Sequence, residues 1–170
     1  MDTRVADQLR LRGGHLDFIG RSHIWIDDYD RADSVQFAQF AIANALAHTA
    51  PGQLEVLVFD DALRGIAAPF QEVNSGGEKI LRHINDLQEL NETIKYLHEH
   101  VRSVLNVIQG RTDSLLDFRQ RLSPKVEGFK LVVLSTIYHL LSDEIRDKLT
   151  VLLKAGPAAG VTFLIHSMKL

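Results

Sequence analysis

Cysteine is absent from the 170-residue chain, which removes disulfides, thiolate nucleophiles, iron–sulfur clusters and cysteine zinc sites. That absence fits a reducing compartment. Aromatic residues are scarce at 7%, with a single Trp, and there are only 4 prolines. No apolar run nears the roughly 18 residues of a membrane span, and charges interrupt Met1 to Gly14 where a signal peptide would be apolar. The expectation is a cytoplasmic protein with no membrane partner. Neither sign of charge dominates: 19 Lys and Arg against 22 Asp and Glu give a formal charge of −3, so contact with nucleic acid would need a local basic patch. What is present, 45% hydrophobic and 24% charged residues, is the composition of one globular domain that buries roughly two thirds of its unfolded surface.

Strands and helices alternate along the sequence. Residues 1–22 read as an N-terminal extension, a short helix and a loop around Gly13, Gly14 and Gly20. His23 to Ile26 predicts a strand, Asp27 to Asp33 a polar loop, and Ser34 to about Thr49 an apolar helix capped by Asp33. Leu54 to Phe59 predicts a second strand ending at Asp60-Asp61. After an irregular stretch from Arg64 to Glu78, Leu87, Leu90, Ile94, Leu97, Val101, Val104 and Ile108 recur at three- and four-residue spacing, which predicts one long helix. Leu115 to Leu122 reads as a shorter helix. Phe129 to Leu134 is so continuously apolar that both its faces must be covered. Ser142 predicts the cap of a helix reaching about Lys154, and Val161 to Ile165 a fourth strand. This is an α/β domain with a mostly parallel sheet and right-handed crossovers.

In such a sheet ligands sit beyond the carboxyl ends of the strands. A phosphate-binding loop after the first strand needs glycines and a Lys before Ser or Thr. The stretch Asp27-Asp28-Tyr29-Asp30-Arg31-Ala32-Asp33-Ser34-Val35 has no glycine, four aspartates and one arginine.

Over about residues 23 to 170 the chain resembles the FtsK/SpoIIIE-type DNA-translocase motor domains of the HerA-like P-loop ATPases. His23 to Ile26 resembles the strand before that family's P-loop, Ser34 to Ala45 the helix after it, and Leu57-Val58-Phe59-Asp60 the next strand. Asp86 to Leu122 resembles the long helix and its short successor. Lys130 to Leu134, Leu149 to Leu153, Lys154-Ala-Gly-Pro-Ala-Ala-Gly160 and Val161 to Ile165 resemble the Walker B strand, the helix after it, the Ala-Ala-Gly turn and the strand that carries a polar sensor. The resemblance implies a three-layer, RecA-like P-loop NTPase fold, degenerate in this copy. The chain ends directly after the last strand, at Met168-Lys169-Leu170, which is compatible with a truncated sheet.

The departures fall on the nucleotide chemistry. Asp33 stands where the resemblance places the phosphate-binding Lys, and Asp27, Asp30 and Ala32 stand where it places glycines. Two unit charges 4 Å apart interact by about 4 kcal/mol at an effective dielectric near 20, so exchanging attraction for repulsion swings binding by roughly 8 kcal/mol before relaxation. Ser135 and Thr136 replace the Walker B acidic pair that orders Mg²⁺ and the attacking water, and neither hydroxyl is a general base at neutral pH. His166, followed by Ser167, holds the sensor position. No catalytic residue, cofactor or metal is assigned.

Other patterns read as structural. Counting from Asp28, the sixth and twelfth positions of a calcium loop are Asp33 and Gln39, where Gly and Glu belong. Glu78 breaks the phosphate-loop spacing of Ser75-Gly76-Gly77-Glu78-Lys79. His98 and His100, two apart on a helix, point in different directions. Ser22, Ser135 and Ser167 lack a nucleophile-elbow setting. Arg102, Arg111, Arg119, Arg121, Lys125 and Lys130, against Asp113, Asp117 and Glu127, leave three net positive charges over 102–130. Arg111, Arg119, Arg121 and Lys125 are the candidates for a DNA backbone or an acidic subunit, and Arg119 or Arg121 for a trans-acting finger.

The expectation is thus a nucleotide-inactive pseudo-ATPase domain of an FtsK/SpoIIIE-like translocase, structural or regulatory. Its partners would be FtsK-like motor domains in the same chain or oligomer, with double-stranded DNA reached through the assembly. The enzyme alternative is an active translocase domain with an unconventional or trans-completed nucleotide site. An unrelated doubly wound domain would show a different sheet order.

Overall fold

Phe129–Ser135 is buried at every position, and the sheet forms around it. The computed structural model describes residues 18–27, 31–49, 52–74, 80–121 and 128–167. The strands are β1 (Ile24–Ile26), β2 (Leu54–Asp60), β3 (Leu81–Ile84), β4 (Phe129–Ser135) and β5 (Val161–His166). They lie in the order β1-β5-β4-β2-β3, and every pairing is parallel. The first strand therefore sits at an edge beside the last, where a doubly wound dinucleotide fold would place it centrally.

The helices are α1 (Ala32–Ala47), α2 (Leu87–Ile108), α3 (Leu115–Arg121) and α4 (Asp143–Ala155). The crossovers from β1 to β2 and from β3 through β4 to β5 run in opposite directions across the sheet. Right-handed connection then puts α1 on one face and α2 and α4 on the other, giving three layers. Ala38, Ala41 and Ala45 of α1 are buried, and their small side chains let its backbone approach the sheet closely. Of the expected stripe of α2, Leu90, Ile94, Leu97, Val101, Val104 and Ile108 are buried, whereas Leu87, the first residue of the helix, is exposed. The Asp86 carboxylate accepts the Glu89 N–H at 2.7 Å, and Ser142 caps α4 by accepting from Ile145 N at 3.2 Å.

Two details differ from expectation. Among the described residues there are five strands rather than four: Leu81–Ile84 exposes Arg82 and His83 and becomes a strand only by pairing with Val56 to Phe59. The α1 N-cap is Arg31, without a side-chain cap, and Asp33 lies inside the first turn. Only the end of the N-terminal extension falls among the described residues. There Phe18 is buried, and Gly20 N–H donates to Thr162 Oγ1 of β5 at 2.8 Å. The Ser75 to Lys79 turn and Met168 to Leu170 lie outside the described residues.

The Ala-Ala-Gly turn has a steric basis. Gly160 has φ +78°, and a Cβ there would stand 2.7 Å from Leu115 Cδ2 and 2.9 Å from Phe129 Cδ1. Gly160→Ala is expected to cost about 1–3 kcal/mol through left-handed strain and this collision, lowering the thermal midpoint by roughly 3–10 °C. An unchanged midpoint in a melting experiment would contradict that reading.

Candidate functional site

Parallel pairing brings the carboxyl ends of all the strands to one rim. Asp27, Asp60, Asn85, Thr136 and Ser167 therefore converge there although they are far apart in sequence. Asp28 and Asp30 lie outside the described residues. Asp33 faces solvent enough that its 3.3 Å ion pair with Arg31, with side chains 37% and 66% exposed, contributes little to stability.

Ser34 turns inward and is 2% exposed. Its Oγ lies 2.6 Å from the Arg31 carbonyl and 2.7 Å from His166 Nε2. On the other side of the ring, Ser135 Oγ lies 2.8 Å from His166 Nδ1. The hydrogens can be counted. A carbonyl only accepts, so the single Ser34 hydroxyl hydrogen goes to Arg31, and Ser34 must accept from His166 Nε2–H. A neutral His166 then leaves Nδ1 to accept from the Ser135 hydroxyl. The chain of donation runs from Ser135 through His166 and Ser34 to the Arg31 carbonyl, joining β4, β5 and the start of α1.

His166 and Ser135 are fully buried. Burial pushes the His166 imidazole down to about 4, helped by the nearby Arg64 charge and offset by Asp60. The neutral ring assumed in the hydrogen count is the form this environment favours. Around it, Thr136 Oγ1 donates to Asp61 at 2.6 Å, Thr136 N–H donates to the His166 carbonyl at 3.1 Å, and Ser167 N–H donates to the Ile26 carbonyl at 3.0 Å. Ser167 Oγ accepts from Tyr138 N at 2.8 Å. The ends of β1, β5 and β4 are thereby laced together.

The structure thus gathers three of the sequence-predicted groups, Ser34, Ser135 and His166, into one dry network. Thr136 lies beside it but is turned to Asp61. Arg111 does not reach it: it is exposed just past the end of α2, which returns to the amino ends of the strands. Arg119 and Arg121 belong to α3 at that same end, with side chains outside what is described, and Lys125 lies outside the described residues. Arg111, Arg119 and Arg121 thus lie at the opposite end of the sheet from the network. His98 Nε2 donates to the Lys148 carbonyl while His100 stacks on Tyr96, so the two do not form a metal pair. Among the described residues no cluster of three His, Cys, Asp or Glu could hold a metal ion, and no helix is long and apolar enough to cross a membrane. Arg64, Asp60 and Asp61 were not singled out as site residues from the sequence. Their roles arise from adjacent strand ends and leave no spacing pattern.

No protein-family model and no curated protein matches the chain. Solved structures do. What they share with it is the α/β fold with a parallel sheet. The cytoplasmic domain of the Thermomonospora curvata type VII secretion ATPase EccC superposes with a TM-score of 0.69 at 17% identity, over 89% of this chain and 18% of that one. EssC ATPases 2 and 3 from Geobacillus thermodenitrificans give 0.63 at 15% identity, over 87% and 28%. T. curvata EccC ATPases 2 and 3 in complex with a signal sequence peptide give 0.60 at 14%, over 90% and 26%. The chain spans between 18% and 28% of the length of these structures.

Proposed function

We propose that this chain is a nucleotide-inactive pseudo-ATPase domain of an FtsK/SpoIIIE-like motor assembly, with a structural or regulatory role. The observation that carries the reading is the closed Ser34–His166–Ser135 network. In a working P-loop the hydroxyl that follows the Lys holds Mg²⁺. Ser34 occupies that position after Asp33, and its hydrogen is already given to Arg31 while it accepts from His166. His166 has both ring nitrogens engaged and is sealed from solvent, so it is not a base for an attacking water. The secretion ATPases and signal-sequence peptide among the structural neighbours favour a polypeptide-moving assembly over a DNA-moving one as the setting.

Calorimetric titration with Mg·ATP tests this. The native chain is expected to give no saturable heat up to about 1 mM, a binding free energy of about −4 kcal/mol. Asp33→Lys, which reverses the charge at the phosphate position, is expected to gain detectable binding. Micromolar saturable binding by the native chain would sink the reading in favour of the active-domain alternative.

A further inference from the structure

Thr136 and Asp61 close the gap between the carboxyl ends of β4 and β2, whereas β2 and β3 stay paired as far as Phe59 and Ile84 and the chain segments beyond them diverge. The connection after β2 runs over the face of α1, where Gln39 donates to the Gly65 carbonyl at 3.1 Å, while β3 leads into α2 on the opposite face. Crevices of this kind are where open parallel sheets receive ligands. Here the crevice is an open cleft of about 270 Å³, lined chiefly by Asp60, Leu63, Ala68, Gln71, His83 and Asn85.

The loop at its mouth is held in an unfavourable conformation. Leu63 has φ +52°, a left-handed conformation that disfavours a residue with a Cβ, and it is 88% exposed. The Asp60 carboxylate imposes this shape by accepting the N–H groups of Arg64 at 3.0 Å, Gly65 at 2.9 Å and Ile66 at 3.4 Å. Strain and an exposed leucine both oppose folding, and Leu63 recovers little packing within the chain.

The lining selects a cation. Asp60 contributes a carboxylate, and no Lys or Arg lines the cleft among the described residues. Asn85 spends its Nδ2–H on Glu89 at 3.1 Å, leaving Oδ1 as an acceptor. Arg64 is the counter-charge on this loop, and its field bears on His166. Acceptor oxygens above the carbon walls of Val58, Leu63, Ala67 and Ala68 suit a long side chain with an apolar stem and a cationic fork. The volume falls below the roughly 300–1,000 Å³ of sites for drug-sized ligands, so it fits one side chain better than a nucleotide.

We propose that this cleft receives an arginine side chain from a partner polypeptide, the guanidinium against Asp60 and Asn85 and the stem beneath Leu63. The inference does not rest on the nucleotide reading, because no residue of the Ser34–His166–Ser135 network lines the cleft. The test titrates the ¹⁵N-labelled full chain with alanine-based peptides that differ only in carrying Arg, Lys or citrulline, and with methylguanidinium. The Arg peptide is expected to shift the Gly65, Ile66 and Asn85 amides saturably, with binding at least tenfold weaker for citrulline. Ala68→Leu, which fills the cleft and leaves the Asp60 hydrogen bonds in place, should abolish the shifts. Equal binding of the citrulline peptide, shifts that persist in Ala68→Leu, or no saturation by about 10 mM, near −3 kcal/mol, overturns the proposal. Methylguanidinium binding as tightly as the Arg peptide overturns the partner side chain as the source.

Discussion

His166→Leu is expected to lower the unfolding free energy by about 3–5 kcal/mol. The substitution removes both hydrogen bonds of the imidazole and leaves the Ser34 and Ser135 hydroxyls facing carbon in a dry interior. Each buried polar group stranded in this way costs about 1–3 kcal/mol. Ser34 keeps its bond to the Arg31 carbonyl, so the total should fall short of two complete losses. For a chain of this size the thermal midpoint should drop by roughly 6–20 °C. Replacing all three groups together, Ser34→Ala, Ser135→Ala and His166→Leu, should recover most of that loss, since every partner is removed and the Arg31 carbonyl keeps the Ser34 backbone N–H at 3.1 Å. Denaturant titration of the single and triple variants reads the difference. A triple variant less stable than the single one would mean that packing, rather than hydrogen bonding, sustains this part of the core.

The same residue sets a pH dependence whose sign can be worked out. The unfolded chain binds a proton at a histidine near pH 6.5, whereas the folded chain binds one at His166 only near 4. Between those values the unfolded state holds more protons, so stability is full above about pH 6.5, falls as the pH drops, and levels off below about 4. At about 1.4 kcal/mol per pH unit, the interval corresponds to roughly 3 kcal/mol. His23 acts in the same direction. Its ring is held neutral by burial, against the opposing pull of its bond to the Leu153 carbonyl, while Nδ1 accepts from Phe163 N–H at 2.9 Å. Urea titrations at pH 7 and 4.5 should show the native chain losing more stability than His166→Gln, which has no proton to take up. Identical losses in the two proteins would remove His166 as the source.

This network also bears on function. A motor domain must leave its phosphate and metal ligands available and let the strand ends move with nucleotide state. Here the ends of β1, β4 and β5 are tied to one another by Ser34, Ser135, His166 and Ser167. The cleft between β2 and β3 lies on the same rim as the tied ends.

Local chemistry alone determined much of the fold. The three- and four-residue apolar spacing announced α2, the unbroken apolar run announced β4 as a central strand, and Ser142 announced the start of α4. Each signal depends on neighbours within a few residues, so it is written in the sequence. That Asp33, Ser135 and Thr136 stand where the resemblance expects a Lys and an acidic pair is an expectation of the same local kind. β3 was not legible in this way, because Arg82 and His83 carry no strand pattern and only pairing with β2 makes them one. Arg31, with extended backbone, stands as the cap of α1 in place of the expected Asp33. The partnership of Ser34, Ser135 and His166 was beyond local reading, since the hydroxyls stand 132 and 31 residues from the imidazole. The sequence by itself therefore determined which polar residue types stand at the strand ends and at the start of α1. Only the tertiary structure decided how they meet, because parallel pairing gathers strand ends from distant parts of the chain, and burial then fixes which hydrogen each polar atom must give or take.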